Sequence, residues 1–279
     1  MTRDDAFDPD AFDGGGRGGP AGIARRRHVP ADRAAAHFHE SVHADGDIVA
    51  GDKIVHQAAA RTAPPVRQLP AAPRDFVGRE RELAAMDEAL AAAGGRGSAT
   101  VVQIHGMAGV GKTSLVLHWA HRNAGRFDAH IFLDLHGLSR RTAATPARAL
   151  FRLLGDLGLA ARDIPADEAR RAALFRSLVA ERRVLVVLDN AADADQIVPL
   201  VPGGPGCLVV VTGRTRLEGL VARFGAVSVP VDPLSTDESC ELVARLLGGD
   251  RGEREPQAVA DLADSCARLP LAIRIATVG

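Results

Sequence analysis

Gly106-Met107-Ala108-Gly109-Val110-Gly111-Lys112-Thr113-Ser114 is the stretch that decides the fold. It fits G-x-x-x-x-G-K-[ST], a loop that binds phosphate. Small residues let the backbone wrap an anion so that several N–H groups point at it. The helix that such a loop opens adds unpaired donors and a partial positive charge. Gly106, Gly109, Val110 and Gly111 are therefore expected to form the cradle. Lys112 brings a full charge to the β- and γ-phosphates, Thr113 a hydroxyl for Mg²⁺, and Ser114 completes the motif.

The flanking residues supply the required context. Ala99-Thr100-Val101-Val102-Gln103-Ile104-His105 is a β-branched run that reads as a buried strand. Lys112 to Asn123 contains no Gly or Pro and carries Leu115, Leu117, Trp119 and Ala120, a helical reading. Of 34 basic residues only Lys53 and Lys112 are lysine. A chain that otherwise uses Arg keeps Lys where a compact ammonium suits phosphate.

A second piece of the same site follows from Val184-Leu185-Val186-Val187-Leu188-Asp189. The apolar run predicts a buried strand, and Asp189 emerges at its carboxyl end, where open α/β sheets bind ligands. Asp189 is expected to hold Mg²⁺, directly or through water, with Thr113 as the other protein ligand. Asn190 stands next, where a second acid would activate water; an amide bonds water but cannot take its proton. Asp193 is either a substitute base or a solvent-facing acid. Arg214, after the strand Leu208–Thr212, either reaches a γ-phosphate or is one more surface Arg.

Further strands are predicted at His130–Leu135 and Val227–Val231, with a helix at 80–93 ahead of the first strand and helices at 146–155 and 167–181 between strands. Alternation with near-continuous apolar strands predicts an α/β fold with a five-stranded parallel sheet covered on both faces. After Pro233 helices at 237–247, 257–268 and 270–277 predict a small helical subdomain. No internal repeat is present.

The 279 residues carry a net charge of −1, which gives no signature of a nucleic-acid binder. No apolar run is long enough for a bilayer, and no signal-peptide core precedes the fold. Cys207, Cys240 and Cys266 are far apart and read as reduced core thiols. A cytoplasmic protein without membrane or nucleic-acid partners is expected.

Residues 1–73 read as a leader, disordered or extended, that ends in a Pro-rich linker. Arg25-Arg26-Arg27-His28 is a solvated charge run or a contact for an acidic partner. His43 to Val55 sets two Gly-Asp steps around β-branched pairs, a small hairpin or a segment that pairs with another chain. His37, His39 and His43 lack the Cys or carboxylate companions of a metal site.

These segments together resemble the NB-ARC type of STAND ATPases, relatives of the AAA+ machines, over residues 74–279. Phe76-Val77-Gly78-Arg79-Glu80-Arg81-Glu82-Leu83 looks like the family's opening motif, and the resemblance sets Val77 and Arg79 against adenine and ribose. Leu188 to Asp193 is similar to its Walker B, and Val211-Thr212-Gly213-Arg214 to the strand whose Arg senses the γ-phosphate. Pro233 to Ser239 resembles the segment that opens the helical subdomain. Arg268-Leu269-Pro270-Leu271-Ala272 resembles the Gly-Leu-Pro-Leu motif, placing Pro270 on the base. Asn190 departs from the pattern at the second acid, and Arg268 at the motif glycine.

The resemblance implies a P-loop NTPase three-layer sandwich at 74–234, with 235–279 as the start of the helical subdomain. It implies an ATP/ADP switch, with Mg²⁺ as cofactor, slow hydrolysis or exchange, and protein partners or a homo-oligomer in the ATP state. Lys112, Asp189, Asn190 and Arg214 are then the catalytic set. Relatives usually continue into winged-helix and repeat domains, so the chain reads as a fragment or as a minimal switch. Two rival readings are a P-loop small-molecule kinase, with Arg140-Arg141 over the phosphates, and a nucleotide-binding regulatory module without turnover.

Overall fold

In the computed structural model of the protein, the residues described are 48–50, 52–54, 66–93, 97–136, 144–248 and 254–278. The chain divides into two units, Met1–Arg61 and Thr62–Gly279. In the first, β1 (Ile48–Ala50) and β2 (Asp52–Ile54) pair antiparallel with Ile48 opposite Ile54, and the rest of the Gly-Asp segment lies outside the described residues. The Gly-rich tract, the Arg25–His28 run, the three leader histidines and Arg140-Arg141 lie outside the described residues.

The second unit is built on β3 (Thr100–His105), β4 (Ala129–Asp134), β5 (Val184–Ala191), β6 (Leu208–Gly213) and β7 (Val227–Pro230). All pair parallel, in the order β4-β5-β6-β3-β7. Parallel neighbours need crossovers, and helices supply them: α1 (Glu80–Ala91) leads into the sheet, followed by α2 (Lys112–Asn123), α3 (Pro146–Asp156), α4 (Glu168–Val179), α5 (Ala194–Ile197) and α6 (Glu218–Phe224).

Because alternate strand residues point to opposite faces, the sheet divides its apolar side chains between two cores. Val186, Leu188, Val209 and Val211 pack with Leu150, Leu153 and Leu154 of α3 and Phe175 of α4. Leu185, Val187, Val210 and Ile104 pack with Met86 of α1 and with Leu115 and Trp119 of α2. The result is the three-layer α/β sandwich expected from the sequence. No described helix is long and apolar enough to cross a membrane.

Helices α7 (Thr236–Leu247), α8 (Pro256–Ser265) and α9 (Pro270–Val278) close a third core around Leu242, Val243, Val259 and Ile273. Val77, from the segment before α1, joins this core.

Three features go beyond the sequence reading. Val66–Gln68, within the Pro-rich segment, runs parallel to the edge strand: Val66 O accepts from His130 N at 2.8 Å and Gln68 N donates to His130 O at 3.0 Å. Helix α6 buries only Leu220 and so shows little apolar periodicity. Strand β5 continues past Leu188 to Ala191 through a register shift, with Asn190 at φ 57°. Asn is among the few residues that tolerate that left-handed conformation.

Candidate functional site

The phosphate loop leaves the carboxyl end of β3, which lies between β6 and β7. Gly109 at φ 79° and Gly111 at φ 97° adopt backbone angles that disfavour a side chain. A Cβ on Gly106 would collide with the backbone oxygen of Val231, so the loop passes too close for any larger residue. Helix α2 starts at Lys112 with no side chain capping its N-terminus and no acid in its first turn, which leaves its donors to the loop's ligand.

Lys112 Nζ donates to Gly106 O and Met107 O, both at 2.8 Å, which holds the ammonium over the loop. Burial lowers its pKa, and Arg214 adds to that effect against the opposing pull of Asp189. Two cations thus share one cleft, an arrangement that favours a polyanion. Arg214 makes no hydrogen bond or ion pair among the described residues.

Thr113 Oγ1 donates to Asp189 Oδ1 at 2.9 Å, with Oδ2 at 3.1 Å, joining the two predicted metal ligands. Thr212 Oγ1, at the end of β6, donates to Asp189 Oδ1 at 2.6 Å and accepts from Asn190 N at 3.0 Å. Burial pushes the Asp189 carboxyl above its ordinary range, the threonine hydroxyls pull it back, and Asp134 pushes it up again. This hard oxygen pair suits Mg²⁺. No cluster of three or more His, Cys, Asp or Glu among the described residues could hold a metal alone. A divalent ion here must complete its shell with nucleotide and water oxygens.

The cleft, ≈ 370 Å³, brings together Lys112, Thr113, Ser114, Asn190, Arg214 and Pro270. A small recess beside it collects Val77, Arg79, Val110, Ser114 and Pro270. The residues expected on the phosphate side and on the base side are therefore contiguous. Arg79 is buried, and its guanidinium donates to Val110 O at 3.1 Å and Glu82 Oε1 at 3.0 Å. Its bond to Val110 O makes it a brace of the phosphate loop. A larger cleft, ≈ 870 Å³, lies between α1 and β7 but contains neither Lys112 nor Asp189.

Asp193 accepts from Gln196 N at 2.9 Å and caps α5, which gives it a structural task. Arg268 sits at φ 54°, the conformation that a motif glycine would take without strain. Four residues take part without a role assigned to them from the sequence: Thr212, Asp134, Glu238 and Leu271. Asp134 ends β4 directly opposite Asp189. Leu271 N donates to Gly109 O at 3.2 Å, tying α9 to the phosphate loop.

Residues 75–270 match the family model described as the AAA ATPase domain. The chain belongs to the AAA ATPase domain family. Nucleotide binding goes with the P-loop fold of that family. The chain is 43% identical over 210 residues to the regulatory protein AfsR of Streptomyces griseus, covering 75% of this chain and 21% of that protein. It is 29% identical over 145 residues to the disease resistance protein RRS1B of Arabidopsis thaliana, covering 50% of this chain and 10% of that protein. The chain thus spans about a fifth or less of these relatives' length. Among solved structures, the Walker-type ATPase of Pyrococcus abyssi shares the fold, with a TM-score of 0.53 at 16% identity over 76% of this chain and 69% of that one.

Proposed function

We propose that this AAA ATPase domain is an ATP/ADP-binding signal-transduction switch in which the bound nucleotide sets the position of α7–α9 against the sheet. The observation that carries this reading is the bond from Leu271 N to Gly109 O, 3.2 Å, between the first turn of α9 and the phosphate loop itself. The base-side recess beneath Pro270 is ≈ 40 Å³, far below the roughly 300 Å³ of an ordinary ligand pocket. Seating a nucleoside there requires α9 to draw back. A helix that bonds to the loop and must move for the ligand is an element whose two positions a ligand can bias.

Lys112 neutralises the β- and γ-phosphates, while Thr113, Asp189 and Arg214 surround the terminal phosphate that ATP has and ADP lacks. Mg²⁺, when bound, spreads the phosphate charge through the Thr113 and Asp189 oxygens. Asn190 cannot remove a proton from water, so hydrolysis acts as a slow reset. The description of AfsR as a regulatory protein supports a regulatory role. We assign the switch protein partners or a homo-oligomer in the ATP state, in the cytoplasm.

The test combines identification of the nucleotide that co-purifies with hydrogen exchange across residues 231–278 in ADP and in a non-hydrolysable ATP analogue. Different protection of α9 in the two states is expected. Identical protection would remove the switch, even with tight binding.

A further inference from the structure

The Asn190 amide is held by two acids. Asp134 is level with Asp189 across the β4–β5 pair. Asn190 Nδ2 donates to Asp134 Oδ1 at 3.1 Å and to Asp189 Oδ2 at 3.2 Å. Both amide hydrogens are spent, and both on carboxylates. An amide so placed can offer only its carbonyl oxygen elsewhere, and among the described residues nothing donates to Asn190 Oδ1. Asn190 lines the cleft with Lys112, Thr113 and Arg214, whereas Asp134 does not.

The orientation is fixed from both ends. Asn190 N donates to the fully buried Thr212 Oγ1. Asp134 is held by its own turn, where His136 N donates to Oδ1 at 2.8 Å and His136 Nδ1 lies 3.2 Å from Oδ2.

We propose that Asp134 is a positioning residue that, with Asp189, locks the Asn190 amide so that its carbonyl oxygen faces the phosphate end of the cleft and accepts a hydrogen bond from the attacking water. The proposal deepens the nucleotide-switch reading and rests on it. In the reaction the water oxygen bonds to the γ-phosphorus, and the bond from that phosphorus to the bridging oxygen breaks with its electrons going to ADP. The water's proton passes to the released phosphate or to solvent, since the amide orients the water but cannot keep its proton. The geometry also implies that acid and amide can trade places. Asp134→Asn combined with Asn190→Asp keeps a donor–acceptor pair between positions 134 and 190 and moves a carboxylate into the cleft, while Asp189 loses the amide hydrogen that Asn190 gives it. Asn190→Asp alone sets Asp134, Asp189 and the new acid side by side.

The experiment compares the parent chain, Asp134→Asn, Asn190→Asp and the double variant. In thermal unfolding without nucleotide, Asn190→Asp should lose stability and the double variant should regain part of it, through the restored 134–190 pair; additive single effects would overturn the linkage. At saturating Mg-ATP, the double variant should exceed the parent kcat at least ~10-fold, with KM changed by less than about threefold. A double variant that binds ATP but turns over no faster than the parent would overturn the role of Asp134. Binding of a fluorescent ATP analogue is measured on all four proteins. A parent that binds none would sink the nucleotide reading itself, while the unfolding comparison still decides the amide linkage.

Discussion

Glu238 accepts the backbone N–H of Arg79 on Oε1 at 2.9 Å, joining positions 159 residues apart. Its Oε2 accepts Ser235 N at 2.7 Å, which completes the capping box of α7. Arg79 in turn reaches Val110 O in the phosphate loop. One carboxylate thus connects the helical subdomain to the loop through a single intervening residue. Burial acts to raise the Glu238 pKa, but donation from Arg79 and Ser235 and the Arg79 charge outweigh it and hold it below the ordinary 4.5.

Glu238→Gln should therefore cost about 1 kcal/mol at neutral pH, since one oxygen becomes an NH₂ facing an N–H and the group is partly open to solvent. The folded pKa lies below the unfolded one, so the contribution is complete above 4.5 and is lost as pH falls through the folded value. Urea unfolding at neutral and acid pH, read from the single tryptophan, Trp119, should show parent and variant converging in acid.

Lys112→Ala should leave the fold intact and weaken ATP binding by about 3 kcal/mol, roughly a hundredfold. Its ammonium bonds only to the loop carbonyls of Gly106 and Met107, and no core residue depends on it. Titration calorimetry with ATP and ADP measures the loss. Full retention of affinity would remove the phosphate loop as the binding site.

Thr212→Val keeps the shape and removes a hydroxyl that serves Asp189 and Asn190 at once. The half-buried Asn190 N–H loses its partner, at about 1 kcal/mol of stability. The Asp189 carboxyl, already raised by burial, loses a donor and rises further. Since a metal-holding carboxylate must be ionised, Mg-dependent ATP binding should shift its midpoint to higher pH. An unchanged pH profile would argue against the link between β5 and β6.

Gly111→Ala and Gly106→Ala should fail by different routes. At Gly111 a Cβ meets Pro270 Cγ at 3.6 Å, an ordinary contact, so the cost is the strain of φ 97°, about 1–2 kcal/mol. At Gly106 the Cβ meets the Val231 backbone, which no rotamer can relieve. Its Tm should fall well below that of Gly111→Ala in the same scan; equal effects would contradict the tight passage of the loop beside Val231.

Arg268→Gly should leave stability unchanged or raise it by up to about 1 kcal/mol, because relief of the left-handed strain at φ 54° outweighs the added freedom of the unfolded chain. A clear fall in Tm would mean that the Arg268 side chain, 4.0 Å from Asp264 Oδ1, matters more than its backbone angle.

Some parts of the site were legible because their chemistry is contiguous in the chain. Gly106 to Ser114 carries its own turn, charge and hydroxyl, and the helix reading of 112–123 coincides with α2. Apolar runs marked all of the sheet strands, with no end displaced by more than three residues. Helices α5 and α6 were missed because they are short and bury few side chains. Asp193 looked like a candidate base because distance along the chain says nothing about which N–H a carboxylate will cap.

By itself the sequence determined which groups are available: a phosphate loop, a buried strand bearing Asp189 and an Arg after β6. Local chemistry and periodicity are written in neighbouring residues. Only the tertiary structure decided which of these groups share a hydrogen bond. The β4–β5 pairing sets Asp134 beside Asp189, the shift in β5 turns Asn190 toward both acids, and α9 reaches the loop through Leu271. Those meetings depend on strand order and register between segments more than 20 residues apart, which no local pattern encodes.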